Sequence, residues 1–184
     1  MKVGRTYRVV VVTALALGAV SACTKSTTAP STQQSVAALA DVVPAGGSVN
    51  VDVGTTVTLA FNHPMDEDMA QYTALMEGTV TGPVVPGTWS LSNDRMKLIF
   101  TPGTALKAAT TYVIHVGGGM MDAEGDTVDL GKYGPGCGGE WATESMMTGG
   151  MGMMGGQGNG WQMGSGWADD NGTYGMIFTF TTAG

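Results

Sequence analysis

The stretch Thr56–Asp66, TVTLAFNHPMD, constrains the fold more than any other. Val57, Leu59 and Phe61 alternate with Thr56, Thr58 and Ala60, the two-residue period of a strand with one buried and one wet face. Pro64 has no N–H to give to a ladder, so the strand stops there. Such a strand needs neighbours along its edges and a second layer over its apolar face. The chain supplies both. Trp89 and Leu91 alternate with Thr88, Ser90 and Ser92, Asn93-Asp94 makes a turn, and Met96, Leu98 and Phe100 return alternating with Arg95 and Lys97. Val42–Val43 and Val49–Val53 flank the turn Pro44-Ala45-Gly46-Gly47. Asp66 is placed to cap one helical turn before a strand near Tyr72–Met76. Thr111–Val116 sets Tyr112, Ile114 and Val116 on one face, and Met176–Thr181 buries Met176, Phe178 and Phe180 while exposing Thr179 and Thr181. Short strands at this spacing predict an all-β sandwich.

Ahead of the strands, Lys2, Arg5 and Arg8 precede the apolar run Val9–Val20 and the small residues Ser21 and Ala22. That is the pattern of a signal peptide, with an apolar part too short for a comfortable membrane span. Val20-Ser21-Ala22-Cys23 resembles the bacterial lipobox, with Val where Leu is usual. The resemblance implies cleavage before Cys23, diacylglycerol on its thiol and an acyl chain such as palmitate on its amine, enough for durable anchoring. Thr24, rather than Asp, follows the cysteine, which in the Gram-negative pattern favours the outer membrane. The expected organisation is therefore a leader at 1–22, a lipidated cysteine and flexible tether at 23–40, and one domain at 41–184. Losing Lys2, Arg5 and Arg8 with the leader takes the net charge from -7 to -10. Such a surface repels phosphate backbones and argues against nucleic acid. The expected partners are the membrane, through the lipid, and an envelope protein or glycan.

Five blocks carry a further resemblance: Phe61-Asn62-His63-Pro64-Met65-Asp66, Leu98-Ile99-Phe100-Thr101-Pro102 with Leu106, Thr110-Thr111-Tyr112-Val113-Ile114, Asp122-Ala123-Glu124-Gly125-Asp126, and Phe178-Thr179-Phe180-Thr181-Thr182. In this order they resemble the bacterial Ig-like domain of the S-layer (SbsA) type. The resemblance implies a Greek-key sandwich of about seven strands, used as spacer, stalk or binding module without catalytic residues. The departure is a long glycine- and methionine-rich insertion before the last strand, at about 117–174.

The insertion interleaves glycine with Met120, Met121, Met146, Met147, Met151, Met153, Met154 and Met163, and with Trp141, Trp161 and Trp167. Thioethers are soft, neutral donors, so clustered methionines suit Cu(I) or Ag(I), and Cys137 could add a thiolate. Glu140, Glu144, Asp169 and Asp170 could balance the charge. Three other roles compete: a contact surface or cover for the open core, a sacrificial store of oxidisable methionine, and sugar stacking on the indoles. No cofactor is expected beyond that candidate Cu(I). Cys137 is expected to be a free thiol once Cys23 is lipidated.

His63 and His115 are the chain's two histidines. His63 follows a strand and could join a copper site at the sandwich end, while His115 lies on the face opposite Ile114 and Val116; both are expected at the surface or in turns. Asp66, Glu67 and Asp68, like Asp122, Glu124 and Asp126, could hold Ca²⁺ but lack EF-hand spacing, and read as solvated turn residues. No nucleophile elbow, HExxH or phosphate loop occurs, so no enzyme is expected.

Overall fold

The computed structural model describes residues 35–133, 138–143, 146 and 172–184. Among them the alternating segments become nine strands: β1 (Leu39–Val43), β2 (Ser48–Val51), β3 (Val57–Phe61), β4 (Thr73–Glu77), β5 (Gly87–Leu91), β6 (Lys97–Pro102), β7 (Thr111–Val116), β8 (Gly139–Trp141) and β9 (Met176–Thr182). A 3-10 helix spans Glu67–Tyr72, and the Asp66 side chain caps it by accepting from the Asp68 N–H at 3.0 Å. One sheet runs β1-β3-β6-β5; the other runs β2-β9-β7-β4, with β8 also paired to β9. The expected Ig-like sandwich is the fold observed.

Register places the apolar rows. In the first sheet Leu59 pairs with Leu98, and Val57 and Trp89 both pair with Phe100, all on the inner face. The Trp89 and Phe100 rings tilt against each other with centroids 5.0 Å apart, a cross-strand pair that fixes the hairpin. In the second sheet Leu75, Ile114 and Phe178 lie in one row across β4, β7 and β9. These rows face each other in a single buried cluster that also holds Met65, Met69, Met120, Val128 and Leu130. Each fully buried Leu or Phe contributes about 1.5–3 kcal/mol, so the two facing rows are the main stabilising term.

Two expected boundaries move. Ala37, Ala38 and Leu39 are buried, so the tether ends before them and the domain begins ahead of residue 41. The cause is local: Asn62 accepts from the Ala38 N–H at 2.6 Å and donates to the Val36 carbonyl at 2.9 Å, while Asp129 and Ala37 bond through their backbones. Likewise 117–133 is not part of a loose excursion. Met120, Val128 and Leu130 enter the core, and this stretch bridges Ala38 at Asp129 and Met65 at Asp122. The leader 1–22, Cys23 and the tether up to residue 34 lie outside the described residues.

β9 has β7 on one side; on the other, β2 pairs with its C-terminal half and β8 with its N-terminal half. The two short strands meet at Gly46 and Gly138. A Cβ on Gly46 would lie 2.0 Å from the Gly138 carbonyl oxygen, so only glycine permits this approach.

Candidate functional site

The insertion leaves and rejoins the sandwich at one point. Its outgoing stem forms β8 on β9; then the Ala142 N–H donates to the Gly175 carbonyl at 2.8 Å, and the Tyr174 N–H donates to the Ala142 carbonyl at 2.7 Å. The two stems are laced together. They also cover the outer face of the second sheet, where Met76, Val80, Val113, Ala142 and Ile177 form a second buried cluster with Ala74, Val84 and Tyr174 packed against it. His115 belongs to this face: it pairs with Ala74 on β4 and Ile177 on β9 and is fully buried. The expected surface histidine is thus an interior one, because the stems roof a face that alternation alone assigns to water. Its Nε2–H donates to the Tyr174 carbonyl at 2.6 Å. Desolvation lowers its pKa to about 4, against a smaller raising effect of that hydrogen bond, so His115 is neutral at pH 7.

His63 occupies a different environment at one end of the sandwich. Pro64 follows the end of β3, and its carbonyl accepts from the Ala123 N–H at 2.9 Å, while the Met121 carbonyl accepts from the Asp66 N–H at 3.2 Å. These bonds draw the acidic turn 122–126 against the end of β3. Asp122, expected as a solvated turn residue, is buried with its side chain fully covered. One of its oxygens, Oδ1, accepts from the Glu124 N–H at 3.0 Å and the Asp126 N–H at 2.9 Å. Its Oδ2 accepts from His63 Nδ1 at 2.9 Å. Burial opposes ionisation of this carboxyl, but the His63 bond and the two backbone donors outweigh it and hold Asp122 below the usual carboxylate range. On the other side of the ring, His63 Nε2 lies 2.7 Å from Ser35 Oγ. Since a carboxylate cannot donate, Nδ1 carries the proton of the neutral ring and Nε2 accepts from the serine hydroxyl. His63, Asp122 and Glu124 also bring ligand atoms within 4.8 Å of one another.

Of the methionines read as metal ligands, Met120 is fully buried in the core cluster and packs rather than ligates, because its stretch of chain bridges into the sandwich. Met121 and Met146 are exposed, at 45% and 39%. Met147, Met151, Met153, Met154, Met163 and Cys137 lie outside the described residues, as do Trp161, Trp167, Glu144, Asp169 and Asp170. Trp141 is half-buried on β8 against the main core. Sequence reasoning missed the Ser35–His63–Asp122 chain. Ser35 and Asp122 lie 28 and 59 residues from His63, and the topology alone joins them.

A family model described as "Bacterial Ig-like domain" matches residues 26–133. None of the curated proteins compared matches the chain. Among solved structures, the S-layer protein SbsC is similar at 15% identity and a TM-score of 0.38, over 52% of this chain and 12% of that one. Alpha-2-macroglobulin from Escherichia coli is similar at 21% identity and a TM-score of 0.40, over 53% of this chain and 6% of that one. CopC from Methylosinus trichosporium OB3b is similar at 17% identity and a TM-score of 0.37, over 51% of this chain and 94% of that one.

Proposed function

Because the chain belongs to the bacterial Ig-like domain family, we propose that it is a lipid-anchored module of the cell envelope that presents its glycine- and methionine-rich insertion to a partner. The observation that carries this reading is the closed base of the insertion. The bonds between Ala142 and Gly175 and between Tyr174 and Ala142 set both ends of the segment on one rigid platform, so the sandwich does not depend on the segment's path. A long segment held this way is usually functional. The family is typically non-catalytic, which fits presentation as the principal role. The lipobox at Val20–Cys23 supports anchoring through Cys23, and Thr24 supports the outer membrane. Two experiments test the reading. Cys23→Ser moves the protein from the membrane to the soluble fraction if the anchor is right; unchanged fractionation contradicts it. Replacing 144–171 by a linker of about five residues leaves the thermal midpoint within a few degrees and abolishes partner contact; a chain that fails to fold contradicts the platform.

A second reading is capture of Cu(I) or Ag(I) by the methionines. What favours it is that, among the described residues, Met121 and Met146 from the candidate set are exposed, at 45% and 39%. An exposed thioether is a soft neutral donor open to a cation from solvent. A Cu(I) competition titration of the full chain, beside a copy with Met146, Met147, Met151, Met153 and Met154 changed to Leu, decides it. Affinity tighter than about micromolar, lost in the variant, supports the metal reading. Equal behaviour of the two proteins ends it.

A further inference from the structure

The chain Ser35–His63–Asp122 is more than a turn needs. His63 has an oxygen at hydrogen-bond distance on each side, 2.9 Å at Nδ1 and 2.7 Å at Nε2. The order of groups is hydroxyl, imidazole, buried carboxylate. Asp122 cannot rotate away, since its Oδ1 takes two backbone N–H groups while Oδ2 holds the ring. Ser35 is positioned too: the next residues are gripped by the Asn62 side chain at Val36 and Ala38 and by the Asp129 backbone at Ala37. Asn62 immediately precedes His63, so one turn of chain places both the base and the segment bearing the hydroxyl. His63 keeps some exposure, with 16% of its side chain accessible, and Ser35 is exposed, so the hydroxyl can be reached from solvent.

We propose that Ser35, His63 and Asp122 form an acyl-transfer site, additional to the presenting role and independent of it, that cleaves neutral or cationic carboxylic esters. The geometry has the roles of a nucleophile, a general base and an orienting carboxylate. Ser35 Oγ attacks the acyl carbon and its proton passes to His63 Nε2. The acyl–oxygen bond to the leaving group breaks, and His63 returns the proton to the departing alcohol. Water then attacks the acyl-Ser35 ester, giving its proton through His63 back to Ser35 Oγ and releasing the carboxylic acid. Asp122 holds the ring with Nε2 toward the serine and stabilises the imidazolium formed in each half. The same atoms favour this over a divalent cation among His63, Asp122 and Glu124. Both ring nitrogens already face oxygens, so a metal would have to displace Ser35 or Asp122. The neighbouring Glu124 and Asp126 and the acidic chain disfavour anionic acyl groups. Val36 beside the serine is 56% exposed and offers an apolar footing to a short acyl chain.

A positioned base contributes about 10²–10⁴-fold, so turnover is expected to be slow and best read with activated esters. The purified full-length protein is treated with a fluorophosphonate probe and, separately, with p-nitrophenyl acetate. The expected result is a single adduct mapped to Ser35 and ester hydrolysis lost in Ser35→Ala, an exposed change that leaves the fold intact. His63→Ala lowers kcat by about 100-fold, with partial recovery on adding free imidazole, which a merely structural histidine would not show. Asp122→Asn lowers kcat at unchanged KM, as a positioning residue should. An adduct elsewhere, a Ser35→Ala protein as reactive as the parent, or saturable Zn²⁺ binding that needs His63 and Glu124 while Ser35 stays inert would overturn the proposal.

Discussion

His63 and His115 sit on the same framework in opposite surroundings. At the end of the sandwich His63 is ringed by oxygen, from Ser35 on one nitrogen and Asp122 on the other. Beneath the stems of the insertion His115 lies among Met76, Val113, Ile177 and Ala142, and donates to one backbone carbonyl. The first environment stabilises a charge beside the ring; the second penalises any charge on it. The difference teaches where each region's stability comes from. The His63 corner is held by hydrogen bonds to one buried carboxylate, and the His115 face by apolar cover from the insertion's base.

The contrast breaks most visibly at Asp122. Asp122→Ala leaves His63 and two backbone N–H groups without their acceptor and should cost about 4 kcal/mol in denaturant unfolding. Acid tests the other region. His115 has a folded pKa lowered from 6.5 to about 4, so between those values the unfolded chain binds a proton that the folded chain refuses. Stability is therefore complete above about pH 7 and falls as pH drops through that window, by about 3 kcal/mol at pH 4. His115→Phe should flatten the slope between pH 7 and pH 4, whereas an unchanged slope would remove His115 as its cause. Asp122 acts lower: its folded pKa is depressed, so its contribution is present above the ordinary carboxylate value and lost only as pH falls below it. The junction beneath the insertion is sharpened by Gly46→Ala, which drives a methyl into the Gly138 carbonyl and should cost about 2 kcal/mol, read as a lower thermal midpoint. The smallest effect belongs to neither region. Lys107 and Glu77 pair at 2.7 Å on an exposed edge, and Lys107→Gln should leave the unfolding midpoint unchanged within error.

Much of the sandwich was legible because alternation and turn chemistry are local. Val57, Leu59 and Phe61, the hairpin with its Asn93-Asp94 turn, the Asp66 cap and the inward row of β9 all follow from neighbours in sequence. The failures share one cause: pairing between distant segments that leaves no periodic trace. His115 reads as an outward residue until residues 139–142 and 174 fold over it. Asp122 reads as a wet turn until Pro64 and His63 draw it inward. Ser35 and Ala37 read as tether because serine and alanine carry little pattern, and their bonds to His63 and Asp129 show that they belong to the fold. Met120 shared its composition with the insertion but packs with the core.

The proposed role makes the sandwich a closed platform and the insertion its working surface. The most direct measurement places a photo-crosslinking residue at Met146, exposed at the insertion's base, or at Val49, exposed on the sandwich, in protein expressed in intact cells. Presentation predicts a discrete adduct from position 146 and none from position 49. Equal adducts from both positions, or an adduct from position 49 alone, would contradict it.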